Sequence, residues 1–207
     1  MSGLREKQKA VRHDRILAAA AALFRGHGYE QVKMEAIAAA AEVSIGTIYN
    51  YYQNKGDLLM AIVAMEVNEV LAAGEKVIAR PPRSAERAID TLIGNYIEHS
   101  LVYLSKEMWR QAMAISTQQP DSPFGMTYAD LDLRLADQTC RLLLKLQTLG
   151  VIRAGADAKA AGELLFNNTN MMFIVFVKTA GMTVEELRAT IRRQNRPLVE
   201  ALKAGTA

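Results

Sequence analysis

Between Ser44 and Lys55 the chain reads Ser44-Ile45-Gly46-Thr47-Ile48-Tyr49-Asn50-Tyr51-Tyr52-Gln53-Asn54-Lys55, which gathers hydroxyl, phenol, carboxamide and ammonium groups. No nucleophile–base pair stands among them, so their chemistry is hydrogen bonding and charge neutralisation rather than bond making. Groups of this kind read base edges and phosphate oxygens. The rest of the chain offers no carboxylate dyad, phosphate-cradling loop or cofactor fingerprint, so neither catalytic residues nor a cofactor are expected. His13, His27 and His99 lie far apart at no metal-ligand spacing, and Cys140 is the single cysteine. Neither a metal site nor an internal disulfide is expected, and a reducing compartment is the simpler setting.

The charge distribution points the same way. Residues 1–55 carry eight basic side chains (Arg5, Lys7, Lys9, Arg12, Arg15, Arg25, Lys33, Lys55) against five acids (Glu6, Asp14, Glu30, Glu35, Glu42), and the other 152 residues hold 17 of each sign. The whole excess of +3 sits at the N-terminal end, as a segment facing a polyanion requires.

These groups must be carried by helices, because nearly every segment has helical period and none shows sustained strand alternation. A first helix over about 12–25 buries Ile16, Leu17, Ala20, Leu23 and Phe24 and stops at Gly26-His27-Gly28. A short second helix turns Met34, Ile37, Ala38 and Ala41 to one face. After a break at Glu42-Val43, Ser44 caps a third helix running through about Tyr51. Two short helices joined by a tight turn form a helix-turn-helix. In the second of them Thr47, Tyr49, Asn50 and Tyr51 point outward, while Ile48 and Tyr52 pack inward. Ser44 and the amides behind it can face a phosphate, and Lys55 can clamp the backbone.

Asn54 caps a long fourth helix whose inner face is Leu58, Leu59, Ile62, Val63 and Met65, with Asp57 in a capping-box-like place. Pro81-Pro82 ends it. Further helices are expected over about 84–104, 106–117, 126–149, 157–178 and 183–203. The basic start and apolar run 16–24 resemble a secretory signal, but Glu6, Asp14 and Arg25 and the amphipathic spacing argue for a helix. The run 171–177 is too short to span a bilayer, so no membrane association is expected and the setting is cytoplasmic. The expected architecture is all-α, with a small N-terminal three-helix unit over 1–55 that carries the helix-turn-helix and a larger helical bundle over 56–207.

The stretch Val43-Ser44-Ile45-Gly46-Thr47-Ile48-Tyr49-Asn50-Tyr51-Tyr52-Gln53-Asn54-Lys55-Gly56-Asp57-Leu58-Leu59 resembles the recognition segment of the tetracycline-repressor (TetR) family, whose pattern is V-S-x-G-T-x-Y-x-Y-F-x-x-K-x-x-L. Ile16-Leu17, Leu23-Phe24, Gly28-Tyr29 and Ile37-Ala38 also stand where that family places them, so the resemblance covers about 12–60. It departs at Val32-Lys33, where the family has a Thr followed by Ser or Thr, at Glu42 in place of the turn glycine, and at Tyr52 in place of Phe. The resemblance implies base-edge contacts from Ile45, Gly46, Thr47, Tyr49 and Asn50, and phosphate contacts from Lys33, Tyr49, Tyr51 and Lys55. Asn50 suits adenine bidentately, and the Thr47 methyl suits a thymine methyl.

The resemblance also implies a homodimer through the last two helices that binds a palindromic operator and is released by a small-molecule effector, with repression as the default. Helix 157–178, with Leu164, Leu165, Met171, Met172, Ile174 and Val175, is apolar on more than one face, as a helix shared with a partner or central to a core would be. Candidate effector residues are Tyr96, His99, Tyr103, Trp109, Met113, Phe124, Phe166, Asn170 and Phe173, each of which ordinary core packing also explains. Asn167, Asn168 and Asn170 form an unusual amide cluster for such a helix. A helical enzyme and a helical adaptor for protein contacts are the rival readings.

Overall fold

The computed structural model describes residues 2–203; residues 1 and 204–207, at the outer ends of the two expected domains, lie outside the described residues. Among the described residues every regular element is a helix. They are α1 (Ser2–His27), α2 (Met34–Ala40), α3 (Ile45–Tyr49), α4 (Lys55–Ala79), α5 (Ala85–His99), α6 (Lys106–Gln118), α7 (Pro123–Thr148), α8 (Ala158–Lys178) and α9 (Val184–Leu202). The one extended pairing among them is an antiparallel bridge between Ile152 and Lys203. None of these helices is long and apolar enough to cross a membrane.

The helices form two compact units. One comprises the residues up to Glu66 with Leu101–Tyr128, the other Val67–Ser100 with the residues from 129 onward, so α4 and α7 each contribute to both.

In the first unit α1 packs on α2 and α2 on α3. Ile16, Leu17, Ala20 and Phe24 of α1 are buried with Met34, Ile37, Ala38, Ala41, Ile48, Tyr52, Leu58 and Ile62, while Leu23 is half-buried. This is the face that the helical period marks. Gly28 closes α1 at φ +84°, a left-handed conformation that costs glycine little. The α2–α3 turn solves the same problem differently, because Glu42 holds φ 51° there. An L side chain pays roughly 1–2 kcal/mol for that conformation. Arg15 reaches the turn from α1, donating to the Ala41 carbonyl and, at 2.9 Å, to the Glu42 carboxylate, which braces a turn that lacks its glycine.

Two boundaries in this unit differ from expectation. α1 begins at Ser2 rather than near Arg12, because its first turns carry no apolar face for periodicity to find. α3 ends at Tyr49, with Asn50 as its C-cap, so Tyr51 stands just outside the helix.

In the second unit α9 packs on both α8 and α5. Their buried stripes include Ile89, Leu92 and Ile93, Leu165, Phe176 and Val177, and Leu187, Ile191 and Val199. A Cβ on Gly162 would lie 2.7 Å from the Cys140 Cα, so α7 and α8 approach there as only glycine allows. Asp90 of α5 accepts from Arg188 at 3.1 Å and Arg192 at 2.6 Å, and Arg188 also pairs with Glu98. Burial raises the Asp90 pKa and the two guanidinium groups lower it by more, leaving the carboxyl below its ordinary range. α5 stops at His99 rather than 104, so Tyr103 stands in a loop. There the Ser100 hydroxyl donates back to the Ile97 carbonyl at 2.7 Å. α7 starts at Pro123, three residues before the expected position, with the Ser122 hydroxyl accepting from the Gly125 amide at 3.0 Å. That proline opens the helix.

Candidate nucleic-acid interface

α3 is only five residues long, and its geometry depends on Ser44. The Ser44 hydroxyl accepts from the Thr47 amide at 3.1 Å and bonds the Thr47 hydroxyl at 2.8 Å. Ile48 is fully buried and anchors one side. The opposite side is left open: Tyr49 is 50% exposed, Gly46 and Asn50 are exposed, and Ile45 and Thr47 are half-buried. Seven of the nine expected DNA-contacting residues, Ser44, Ile45, Gly46, Thr47, Tyr49, Asn50 and Tyr51, thus fall on one short segment. Lys33 is exposed at the start of α2, where it stands as an N-cap whose side chain makes no capping bond. The hydroxyl cap that Val32-Lys33 gives up is not replaced.

Gly46 is informative. A Cβ there would meet nothing closer than the Ser44 Oγ at 4.0 Å. Glycine inside a helix costs about 1 kcal/mol relative to alanine. Among the described residues no close neighbour requires the glycine.

The tyrosines differ in exposure. Tyr52 is 7% exposed, its ring 6.0 Å from that of His13, and burial first, then Tyr51 and Asp14, push its phenol up to about 12. Tyr51 is half-buried, with its ring 6.2 Å from that of His13.

Lys55 has an internal role that its position in the motif did not disclose. Its ammonium donates to the carbonyls of Tyr29 at 2.9 Å and Glu30 at 3.0 Å and lies 4.8 Å from the centre of the Tyr29 ring. It fastens the start of α4 to the α1–α2 loop. Three protons are available on an ammonium and two are used here, so one is left for a phosphate. Lys55→Ala is expected to destabilise the head by about 2 kcal/mol through the two charged hydrogen bonds. It should also weaken binding to all DNA sequences alike and lower the salt slope by about 1 per head. Thermal melts beside binding titrations at several salt concentrations separate the two effects.

The same loop is tied from a second side, because the Tyr29 amide donates to the Glu107 carboxylate of α6 at 3.1 Å. α6 also carries Trp109, buried, and Met113, half-buried. These two, with Tyr103 and the buried Phe124, are the candidate effector residues of the first unit.

The other five belong to the second unit. Tyr96 is buried, and its phenol donates to the Gln138 Oε1 at 2.8 Å. Gln138 is fully buried and donates in turn to the Leu71 carbonyl at 2.8 Å and the Glu75 carboxylate at 2.7 Å. Arg141 closes the network on Glu75 and holds that carboxyl below its ordinary range. His99 is half-buried, 3.4 Å from the Glu69 carboxylate. Phe166 is buried, and Phe173 is half-buried with its ring 5.9 Å from that of Phe176.

The asparagines do three different things. Asn167 is exposed, Asn168 donates to the buried Asn195 at 2.8 Å, and Asn170 bonds Asp132. Burial pushes the Asp132 carboxyl up to about 6, against the opposing effect of Asn170. A carboxyl whose folded pKa lies above its unfolded one favours the native state when protonated. Its contribution is fully present below the unfolded value and is lost as pH rises through about 6. Asp132→Asn is therefore expected to stabilise the protein at pH near 7.5 and to lose that advantage at pH near 4, as denaturant titrations across this range would read.

Residues 16–62 match the family model for bacterial regulatory proteins, tetR family. The HTH-type transcriptional repressor KstR of Rhodococcus jostii is 39% identical over 71 residues, 34% of this chain and 34% of that one, so the chain matches about a third of that relative's length. The fatty acid metabolism regulator protein of Bacillus subtilis is 31% identical over 164 residues, 77% of this chain and 80% of the relative. The chain belongs to the tetR family of bacterial regulatory proteins. The fold agrees: the crystal structure of the transcriptional regulator FadR from Bacillus subtilis in complex with stearoyl-CoA superposes with a TM-score of 0.64 at 20% identity, covering 94% of this chain and 100% of that one. Within this tetR-family chain the segment α2 to α3 is the helix-turn-helix, and Arg15 and the left-handed Glu42 maintain its turn.

Proposed function

We propose that the protein is a cytoplasmic repressor that holds a palindromic operator as a homodimer and releases it on binding a small-molecule effector. Residues 1–55 read DNA and 56–207 bind the effector and the second protomer. One observation carries the DNA reading: Gly46, Tyr49 and Asn50 are exposed on a helix whose other side is locked by Ile48 and Ser44. Asn50 is the adenine reader, and the Thr47 methyl is free for thymine because its hydroxyl is held by Ser44. Lys33, Tyr49, Tyr51 and Lys55 take phosphates. Gly46 lets the backbone approach the duplex, which supplies the reason for its cost. Gly46→Ala is thus expected to raise stability by about 0.5–1 kcal/mol while lowering operator affinity at least tenfold. Alanine that stabilises without any loss of affinity would remove Gly46 from the interface.

The effector class that the relatives support is a fatty acyl thioester of coenzyme A. The Bacillus subtilis relative is a fatty acid metabolism regulator, and the FadR structure holds stearoyl-CoA. The candidate effector residues offer, in the first unit, apolar area from Trp109, Met113 and Phe124 with the polar Tyr103, and, in the second, apolar area from Phe166 and Phe173 with the polar Tyr96, His99 and Asn170. A ligand releases DNA only by its differential affinity for two states of the protein. α6 offers a route, since it carries Trp109 and grips the head loop through Glu107. α4 offers another, since it runs from Lys55 into the second unit. Titrating the protein–operator complex with acyl-CoAs of short, medium and long chain tests the effector. Release that depends on chain length supports it, and a complex that none of them disturbs removes this class.

A further inference from the structure

The formal charge of the whole chain, +3, lies in its first 15 residues, where Arg5, Lys7, Lys9, Arg12 and Arg15 stand against Glu6 and Asp14. Residues 16–55 carry Arg25, Lys33 and Lys55 against Glu30, Glu35 and Glu42 and cancel. The remainder of the head, residues 16–55, is therefore neutral. Of its three cations, Lys55 is engaged by the Tyr29 and Glu30 carbonyls and Arg25 by the Val102 carbonyl, while Lys33 is exposed. A neutral head draws little on counterion release, the main source of sequence-independent affinity for duplex DNA.

The missing charge is carried by a segment for which the fold has no packing use. Residues 6–12 are helical and exposed, and among the described side chains of α1 the first to be fully buried is Ile16. Lys9, Arg12, His13 and Ile16 stand at i, i+3, i+4 and i+7, so the cations prolong the stripe by which α1 lies on the head. That stripe leaves the head beside the recognition segment: the His13 ring is 6.2 Å from Tyr51 and 6.0 Å from Tyr52. We propose that residues 9–12 of α1 form a second DNA-contacting element, in which Lys9 and Arg12 hold phosphates beside those met by the recognition segment. The inference rests on the DNA-reading function proposed above and adds an element to it. Because the contacts go to phosphates, they raise affinity for operator and random duplex by the same factor and carry no base preference.

The test is the salt dependence of duplex binding by the full chain. The double variant Lys9→Gln/Arg12→Gln is expected to lose about 2 from the salt slope per bound head and at least tenfold in affinity at roughly 0.1 M salt. Its base preference and melting temperature should match the wild type. The swap Lys9→Arg/Arg12→Lys should keep the slope. The control Lys76→Gln/Arg80→Gln, which removes the same charge from exposed positions elsewhere, should leave it nearly unchanged. A double variant with the wild-type slope, or with no larger change than the control, overturns this inference alone. A wild-type chain without affinity for any duplex overturns the DNA-reading function and this inference with it.

Discussion

Leu164→Glu combined with Met171→Glu is expected to yield a monomer whose affinity for a palindromic operator falls by about 10²–10⁴ while its helices stay folded. α8 is apolar on two sides. Leu165, Phe166, Phe176 and Val177 are buried within the protomer, whereas Leu164 and Met171 are each 58% exposed and Val175 39%. The exposed three recur at i, i+7 and i+11, a single stripe along the helix. An aligned row of large apolar side chains left in water marks an association surface. In a two-fold interface every substitution occurs twice, so two changes place four carboxylates in the contact. Neither residue supports the protomer's own core, so the monomer keeps its helicity. The loss of operator affinity follows from avidity, since each head then binds its half-site alone. Sedimentation and operator titration on the same preparation read both consequences. A double variant that stays dimeric would show that α8 is not the shared face.

Gln138→Leu is expected to cost about 3 kcal/mol, a large effect for a change that adds apolar volume at a buried site. Gln138 is 0% exposed and makes three hydrogen bonds, one from Tyr96 and two to Leu71 and Glu75. Leucine removes the bonds to the Tyr96 phenol and the Leu71 carbonyl, roughly 0.5–1.5 kcal/mol each, and the bond to the Glu75 carboxylate, roughly 1.5–3 kcal/mol. The space is also committed to glutamine, because a Cβ on the neighbouring Gly74 would come within 2.1 Å of the Gln138 Oε1. Arg141 and Glu75 are about half exposed, so their ion pair adds little. Urea titration gives the cost, and a double-mutant cycle with Tyr96→Phe isolates the shared bond, for which about 1 kcal/mol of coupling is expected. A cost below about 1 kcal/mol would mean that the network is idle.

The helices, most of their ends and the recognition segment were legible in the sequence because each leaves a local signal. Apolar period marks a buried face, as with Ile16, Ala20 and Phe24. Caps mark starts, as with Ser44 and Asn54, whose Oδ1 accepts from the Asp57 amide at 3.1 Å. The extension of α1 was missed because an exposed basic helix has no apolar face. The loop that carries Tyr103 was read as helix because Ile93, Ile97, Leu101 and Leu104 keep helical spacing past the end of α5. Long-range roles were the least visible. Lys55 sits in a motif that suggests phosphate, yet its carbonyl partners lie 25 and 26 residues away in the chain. Gln138 had a signal that went unread: a carboxamide at a core position of α7, between Leu135 and Leu142, requires buried partners. Asp132 had none, because burial of a lone carboxyl beside Asn170 depends on how α7 meets α8.

Selection of bound sequences from a random duplex pool, at roughly physiological salt, tests the central claim most directly. The account predicts enrichment of a palindrome whose half-sites stand about one turn apart, roughly 34–36 Å, with an adenine contacted by Asn50 whose preference relaxes in Asn50→Ala. A folded, ligand-free preparation that enriches no sequence would contradict it and would favour a helical adaptor that uses the same three-helix head for protein contacts.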